Sequence, residues 1–352
     1  MEKAVLVGIK FKNDDLPLNE SLEELRQLAL TSGAETIGVL MQNRAVPDKK
    51  YFIGRGKMEE LKNLCETLSP DLIIMDQEVS ASHIRNLEDS LGVKVIDRTE
   101  LILDIFAQHA HTREGKLQVE LAQSEFIMTR LSGRGVSFSR LGGGIGTRGP
   151  GETKLEVDRR RIRKKISDLK TEIDSISKNR NLLRQKRKSS QIKVGAIVGY
   201  TNSGKSTLLN SLARTNVLVE DKLFATLDPV TKRVYLPGNK VILLTDTVGF
   251  IQKLPHQLID AFKATLEETT EADFLVHVVD ASSPYMEDQI ASVYKVLEEM
   301  GIIAKPILTL FNKIDICKPP KALLKKYDPA VFISAYYKTG FEELTKSLLK
   351  LL

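Results

Sequence analysis

The feature that most constrains the fold is the segment IKVGAIVGYTNSGKSTLLNSL at residues 192–212. An apolar run precedes the pattern G-x-x-x-x-G-K-S, formed by Gly199, Gly204, Lys205 and Ser206, and a helical pattern follows it. A strand, a glycine loop and a helix in this order predict a loop whose backbone N–H groups surround phosphates. We expect Lys205 to place its charge on the β- and γ-phosphates and Ser206 to coordinate Mg²⁺.

A second apolar strand, VILLTDTVGF at residues 241–250, ends in the pattern D-x-x-G. We expect the Asp246 carboxylate to support the Mg²⁺ shell and the Gly249 N–H to bond the γ-phosphate, so that this loop senses hydrolysis. Thr226, in LFATLDP at residues 223–229, lies between the phosphate loop and this strand. Its position predicts a mobile switch whose hydroxyl completes the Mg²⁺ shell when a γ-phosphate is present.

Two further strands end in residues suited to a guanine base. PILTLFNKID at residues 306–315 ends in N-K-I-D, and VFISA at residues 331–335 ends in Ser-Ala. The Asp315 carboxylate can accept from guanine N1–H and N2–H, a pair that adenine lacks. A backbone N–H at Ser334 or Ala335 can meet guanine O6. Four such signals at strand ends predict a doubly wound α/β P-loop GTPase domain over residues 191–352, with the ligand at the carboxyl ends of the strands.

The first hundred residues alternate short apolar runs with helical patterns. Strands are predicted at residues 4–9, 36–41, 71–76 and 93–97, and helices at about 20–31, 57–68 and 81–91. This rhythm predicts a small parallel α/β subdomain over residues 1–110.

The middle of the chain, residues 111–190, predicts a helical hairpin. Residues 115–131 form an amphipathic helical pattern, and residues 153–188 form a longer one with a coiled-coil stripe. Between them, residues 132–151 contain eight glycines and three arginines and no acidic residue. We expect two antiparallel helices with this glycine-rich loop at their tip.

The positive charge is concentrated in the same segment. Residues 130–190 carry 18 basic and 6 acidic residues, whereas residues 1–129 carry 15 and 22, and residues 191–352 carry 19 and 18. A compact basic block indicates a polyanionic partner. Arginines can pair with phosphates or stack on unpaired bases, so we expect Arg134, Arg140 and Arg148 to contact RNA.

Composition excludes several other classes of protein. The two cysteines, Cys65 and Cys317, have no metal-binding spacing, which favours a reducing compartment. No apolar run reaches the length of about 20 residues that a membrane helix needs, and the start of the chain is typical of a strand rather than a signal peptide. We expect a cytoplasmic monomer without integral membrane association and without a DNA partner.

Several segments together resemble the HflX family of translation-associated GTPases. They are YFIGRGKMEEL (51–61), HTREGKLQVELAQ (111–123), GGGIGTRGPGETKLEVDRRRI (142–162), FATLDP (224–229) and DTVGF (246–250). The resemblance covers nearly the whole chain, and its glycine-rich segment is absent from other GTPase families.

The resemblance implies binding of GTP or GDP and Mg²⁺, binding to the 50S ribosomal subunit, and ribosome-stimulated GTP hydrolysis that splits or rescues stalled ribosomes under stress. It points the glycine-rich loop towards the peptidyl transferase region. The nucleotide site that it implies comprises Gly199, Tyr200, Thr201, Asn202, Ser203, Gly204, Lys205, Ser206, Phe224, Ala225, Thr226, Leu227, Asp228, Asp246, Thr247, Val248, Gly249, Asn312, Lys313, Ile314, Asp315, Ser334 and Ala335.

Catalysis in this domain lacks one familiar side chain. Ras-like GTPases place a glutamine after D-x-x-G to orient the attacking water, whereas this chain has Phe250. We therefore expect a low intrinsic rate of hydrolysis, and the resemblance implies that the ribosome supplies the missing help. Asn202 occupies a position at which several related GTPases hold K⁺ beside the phosphates, which makes K⁺ a candidate cofactor.

Three other functions remain open from the sequence. The chain could act on immature large subunits as an assembly GTPase, or as an RNA-binding nucleotide switch without significant turnover. A membrane-associated regulator is disfavoured, because the apolar stripe of the basic helix is needed for its partner helix.

Overall fold

A computed structural model of the chain describes residues 1–12, 17–138, 154–188, 192–213, 223–224, 226–253, 268–302 and 304–352. The chain forms two compact units, one of residues 1–108 with 117–172 and the other of residues 109–116 with 173–352. The three-domain division at residues 110 and 190 stays a prediction. Within the described ranges, no helix is long and apolar enough to cross a membrane.

The first unit contains a parallel sheet of four strands in the order β2-β1-β3-β4. The strands are β1 (Glu2–Phe11), β2 (Ala34–Arg44), β3 (Leu72–Met75) and β4 (Lys94–Asp97). The helices are α1 (Leu18–Thr31), α2 (Arg55–Leu68), α3 (Ala81–Leu91) and α4 (Arg98–His109). All four residues of β3 are buried, as expected for a parallel strand covered on both faces. The predicted parallel α/β arrangement is confirmed.

Two long helices follow, α5 (Arg113–Phe138) and α6 (Lys154–Lys188). Leu131, late in α5, accepts a hydrogen bond through its carbonyl oxygen from Arg159, early in α6. Glu120, nearer the start of α5, pairs with Lys165 further along α6 at 2.8 Å. This order of contacts is antiparallel, as predicted.

The apolar stripe of α6 is less buried than a coiled coil requires. Among its described members only Leu169 is buried, whereas Ile162, Ile166, Ile173 and Ile176 are half-buried. A contact between two helices leaves part of each apolar stripe exposed. The coiled-coil pattern therefore predicted the helix correctly but overestimated how deeply its stripe is buried.

The second unit contains a six-stranded sheet in the order β10-β9-β8-β5-β7-β6. Its strands are β5 (Val194–Gly199), β6 (Val230–Leu236), β7 (Lys240–Asp246), β8 (Phe274–Asp280), β9 (Ile307–Asn312) and β10 (Ala330–Phe332). The named helices are α7 (Lys205–Ala213), α8 (Met286–Glu299), α9 (Ala322–Lys326) and α10 (Phe341–Lys350). Among the strand pairs that the described residues form in this sheet, β6 with β7 is the antiparallel one. This is the predicted doubly wound P-loop fold.

A buried histidine lies in the centre of this sheet. His277 on β8 is 1% exposed, and its ring packs edge-on against Tyr294 of α8 with the ring centroids 5.5 Å apart. Burial, together with the positive charge of Lys205, lowers the pKa of His277 to about 3. The ring is therefore neutral in the folded protein at physiological pH.

This histidine predicts acid sensitivity of the second unit. Below its ordinary pKa of 6.5 the unfolded chain takes up a proton at His277, whereas the folded chain stays neutral down to a pH of about 3. The contribution of His277 to stability is thus complete above pH 6.5 and falls as the pH falls, by about 2 kcal/mol at pH 5. We expect His277→Leu to lose less stability than the wild type between pH 7 and pH 5 in urea unfolding. A substitution at the exposed His111 is the control, and equal pH dependence of His277→Leu and wild type would contradict the prediction.

Candidate functional site

The phosphate loop connects β5 to α7, and Lys205 opens the helix. Its side chain is 6% exposed, and Nζ donates to the carbonyl oxygens of Gly199 at 3.2 Å and Tyr200 at 2.7 Å. Burial lowers the pKa of Lys205 to about 8, and the nearby charge of Asp246 opposes this shift. The loop therefore holds a buried cation among its own carbonyl groups, where a phosphate would gain a strong electrostatic partner.

Three oxygen-bearing side chains converge beside Lys205. Ser206 Oγ donates to Asp246 Oδ2 at 2.6 Å and lies 2.8 Å from Thr226 Oγ1. These residues belong to α7, to the end of β7 and to the segment before β6, which are far apart in the sequence. The structure thus brings together the two predicted Mg²⁺ ligands, Ser206 and Thr226, with the predicted supporting carboxylate.

This cluster suits a hard divalent cation. Asp246 is fully buried, and its Oδ1 has no hydrogen-bond partner in the described part of the chain. Burial raises the pKa of Asp246, whereas Lys205 and the Ser206 hydroxyl act in the opposite direction. A buried carboxylate oxygen without a partner is costly unless a cation or donor satisfies it. Mg²⁺ favours such oxygen ligands together with phosphate and water.

No denser metal site competes with this one in the described ranges, which contain no group of three or more His, Cys, Asp or Glu residues that could hold a metal ion. A metal ion at this position would rely on the two hydroxyl groups and on ligands from nucleotide and water.

The segment after β7 is attached to the phosphate loop. The Phe250 N–H donates to the Gly199 carbonyl at 3.1 Å, and the Thr201 N–H donates to the Phe250 carbonyl at 2.8 Å. Two residues after Phe250, the Gln252 N–H donates to Tyr200 Oη at 2.9 Å. Phe250 is 2% exposed, so its ring belongs to the core and offers no polar group to a water molecule.

Gly249 lies directly against the phosphate loop. A Cβ atom at this position would fall 2.9 Å from Lys205 Nζ and 2.8 Å from Thr201 Cγ2. Only a residue without a side chain allows the backbone N–H of position 249 to approach the phosphate region this closely.

Asn312 connects the phosphate loop to the predicted base-binding loops. Its Nδ2 donates to the Ser203 carbonyl at 2.9 Å, and its Oδ1 accepts from the Ala335 N–H at 2.9 Å.

Asp315 is exposed, as a carboxylate that meets a base must be. The Ser334 N–H donates to the Thr339 carbonyl, so both backbone donors proposed for guanine O6 have acceptors within the protein. Their role towards the base stays a prediction.

Lys313 follows Asn312 and adopts a left-handed conformation with φ of 68°. Its ammonium group pairs with Asp280 Oδ2 at 2.7 Å, at the end of β8. This pair fixes the aliphatic stem of Lys313 beside the loop that carries Asp315.

The remaining predicted residues divide into three groups. Thr247, Val248, Phe224 and Leu227 are buried, and the Thr247 hydroxyl donates to the Ile197 carbonyl at 2.7 Å. Asp228 does not join the cluster around Ser206, because its carboxylate binds the segment before α5. Ala225, Arg140, Arg148 and the side chain of Arg134 lie outside the described residues.

Three contributions to the site were missed in the sequence. Asp280 is visible there only as the last residue of FLVHVVD, and β8 itself was not predicted although the run is continuously apolar. Tyr200 and Asp228 were predicted as nucleotide-binding residues, but the contacts of the Tyr200 hydroxyl and the Asp228 carboxylate are long-range and follow from no local pattern.

Comparison with known proteins gives three family matches along the chain. Residues 19–107 match the family described as GTP-binding GTPase N-terminal, and residues 109–187 match GTP-binding GTPase Middle Region. Residues 194–313 match the family described as 50S ribosome-binding GTPase.

Two relatives and one solved structure extend these matches. The chain is 51% identical to GTPase HflX of Caldanaerobacter subterraneus subsp. tengcongensis, over 99% of this chain and 80% of the relative. It is 49% identical to GTPase HflX of Lacrimispora saccharolytica, over 99% of this chain and 82% of the relative. The crystal structure of SsGBP in complex with GDP aligns with a TM-score of 0.54 and 28% identity, and covers 100% of this chain and 98% of that one.

The bond between Tyr200 and Gln252 generates a prediction. Tyr200→Phe keeps the buried ring but leaves the Gln252 N–H without its acceptor, which costs about 1–3 kcal/mol locally. We expect faster hydrogen exchange at the Gln252 amide and slower GTP hydrolysis, with nucleotide affinity largely kept because the loop backbone is unchanged. Tyr235→Phe removes the same atom from a tyrosine that is 73% exposed and should match the wild type. Unchanged exchange at Gln252 in Tyr200→Phe would show that this bond is dispensable.

Proposed function

The chain belongs to the HflX family of GTPases and hydrolyses GTP, and from this premise we propose that it binds the 50S subunit and splits or rescues stalled 70S ribosomes. The observation that carries the proposal is the match of residues 194–313 to a family described as 50S ribosome-binding GTPase, within a chain related to HflX along 99% of its length. We propose that the protein acts in the cytoplasm, because ribosomes are its proposed target, and that it acts as a monomer.

The arrangement of the site supports a defined set of roles in this reaction. Lys205 and the loop backbone would bind the β- and γ-phosphates, and Ser206 and Thr226 would hold Mg²⁺ with support from Asp246. Mg²⁺ bound there would neutralise charge on the phosphates. Asp315 would select guanine by accepting from its two donors.

The environment of Phe250 supports a low intrinsic rate. Its ring is buried and its backbone is bound to the phosphate loop, so position 250 supplies no group to orient a water molecule. The next glutamine, Gln252, is only 3% exposed. Stimulation would therefore come from a bound partner, which makes the ribosome both the target and the trigger.

The charge of α6 supports an RNA partner. The described first half of the helix exposes a run of cations, namely Arg160, Arg161, Arg163, Lys164 and Lys165. Exposed guanidinium and ammonium groups along one helix favour contacts to a phosphate backbone, and such contacts make binding strongly dependent on salt. We propose that Arg134, Arg140 and Arg148 also contact ribosomal RNA.

Sedimentation of purified 70S ribosomes tests the proposal. With the protein and a non-hydrolysable GTP analogue, we expect 70S particles to convert to 50S and 30S subunits in a sucrose gradient, because the GTP-bound form stabilises the separated state. Intact 70S particles at saturating protein would contradict splitting. Binding only to immature large subunits would identify an assembly GTPase, and binding without stimulated turnover would identify a nucleotide switch.

The double variant Arg140→Ala, Arg148→Ala is the matched arm of this experiment. It should bind ribosomes more weakly and with a smaller salt dependence, since each lost phosphate contact reduces the salt slope by about one. GTP binding without ribosomes should match the wild type. Normal binding and splitting by the double variant would exclude the proposed role of the glycine-rich loop.

We further propose that K⁺ bound near Asn202 assists hydrolysis. Asn202 lies at the exposed turn of the phosphate loop in a left-handed conformation with φ of 58°, and Phe250 leaves the reaction without a glutamine. A cation beside the phosphates could then stabilise transition-state charge as an arginine finger does. We expect faster hydrolysis in KCl than in NaCl at equal ionic strength, and loss of this difference in Asn202→Ala. Equal rates in both salts, with and without ribosomes, would contradict the idea.

A further inference from the structure

Asp228 binds the backbone immediately before helix α5. Its Oδ2 accepts from the N–H groups of His111 and Thr112, both at 2.9 Å, and its Oδ1 accepts from the Thr112 hydroxyl. All of these atoms belong to the second compact unit, which includes residues 109–116. Both carboxylate oxygens are thereby engaged by residues more than 110 positions away in the sequence.

The same contact completes the start of α5. The Thr112 hydroxyl accepts from the Gly115 N–H at 3.0 Å, which is the bond that an N-cap threonine makes to the first turn. The carboxylate of Asp228 adds a negative charge where the N–H groups of the helix point, a position that the helix dipole favours.

Gly115 shows that the two segments fit closely. A Cβ atom at position 115 would collide with Asp228 Oδ1. The sequence HTREG at residues 111–115 therefore contains two residues suited to this contact. Thr112 is the N-cap and donates to the Asp228 carboxylate, and Gly115 leaves room for it.

Asp228 is only two residues from Thr226, whose hydroxyl lies 2.8 Å from Ser206 Oγ. Leu227 between them is 1% exposed, so the short segment is fixed at all three residues. Two residues span at most about 7 Å. Thr226 therefore has little freedom to leave the metal site while Asp228 stays bound to the start of α5.

We propose that Asp228 and Thr112 are positioning residues that hold Thr226 at the metal site, and that occupancy of this site by Mg²⁺ and the γ-phosphate in turn stabilises the start of α5. The inference rests on the proposed role of Thr226 as a metal ligand. Thermodynamic linkage requires this reciprocity. If the contact between Asp228 and Thr112 favours the position of Thr226 at the metal site, then a ligand that holds Thr226 there favours the contact to the same extent. The helix that leads to the glycine-rich loop would thereby respond to the bound nucleotide.

Hydrogen exchange in the full-length protein without ribosomes tests the proposal. With Mg²⁺ and a non-hydrolysable GTP analogue, the His111 and Thr112 amides should exchange at least about ten times more slowly than with GDP. This factor is expected when hydrogen bonds to a charged group become more stable. Asp228→Ala should abolish this difference. In parallel, the Mg²⁺ concentration needed for half-maximal binding of the analogue should rise in the variant.

A second pair of variants keeps the test decisive if Asp228→Ala is unstable. Thr112→Val removes the hydroxyl and should reduce the difference in exchange, whereas Thr112→Ser keeps the hydroxyl and should restore it. Asp71→Ala is the matched control, since Asp71 Oδ2 accepts from the Lys3 N–H in the other compact unit, and it should leave the exchange at residues 111 and 112 unchanged.

Two results would overturn the proposal. One is equal exchange of the His111 and Thr112 amides with GDP and with the analogue in the wild type. The other is a nucleotide-dependent difference that persists in both Asp228→Ala and Thr112→Val. Either result would leave the splitting of ribosomes untouched, because no ribosome is present in the assay.

Discussion

The parallel pairing of β5 with β7 and β8 determines where the phosphate loop and the D-x-x-G segment begin. The register sets Ile197 opposite Asp246 and Gly199 opposite Val278, and β8 in turn sets Asp280 opposite Asn312. Because parallel strands have their carboxyl ends at the same edge, the phosphate loop, the D-x-x-G segment and the N-K-I-D segment emerge side by side. The hydrogen bonds of Asn312 to Ser203 and Ala335 then connect neighbouring loops directly.

Both units bury charge at the carboxyl ends of their strands, with different consequences. In the first unit Arg98 is 2% exposed and binds Asp76 at 2.8 Å and Glu24 at 2.5 Å, so two carboxylates oppose its charge. In the second unit Lys205 and Asp246 are also buried, yet Asp246 Oδ1 has no hydrogen-bond partner within the described ranges. Desolvation penalises both charges, lowering the pKa of Lys205 and raising that of Asp246. Nucleotide phosphates and a divalent cation bound there would relieve this penalty and would link the stability of the unit to binding.

Much of the fold followed from local sequence patterns, and the exceptions have physical reasons. The strands and helices of the first hundred residues were predicted because their apolar runs alternate with clear helical periods. The strand β8 was missed although FLVHVVD is continuously apolar, and β6 was missed because its short alternating pattern lies at an antiparallel edge. The stripe of α6 predicted a coiled coil, whereas a single partner helix leaves Ile162 and Ile166 only half-buried.

The sequence by itself determined the class of the nucleotide-binding unit, because G-x-x-x-x-G-K-S, D-x-x-G and N-K-I-D require particular residues at fixed local spacings. It also determined where the positive charge lies, since composition depends on no fold. Only the tertiary structure decided which distant groups meet. In the folded chain Thr226 lies beside Ser206, and the Gln252 N–H donates to the Tyr200 hydroxyl. The Asp228 carboxylate binds the start of α5 and does not join the cluster around Ser206. These contacts depend on loops that converge from separate strands, and no period or spacing along one segment records such a convergence.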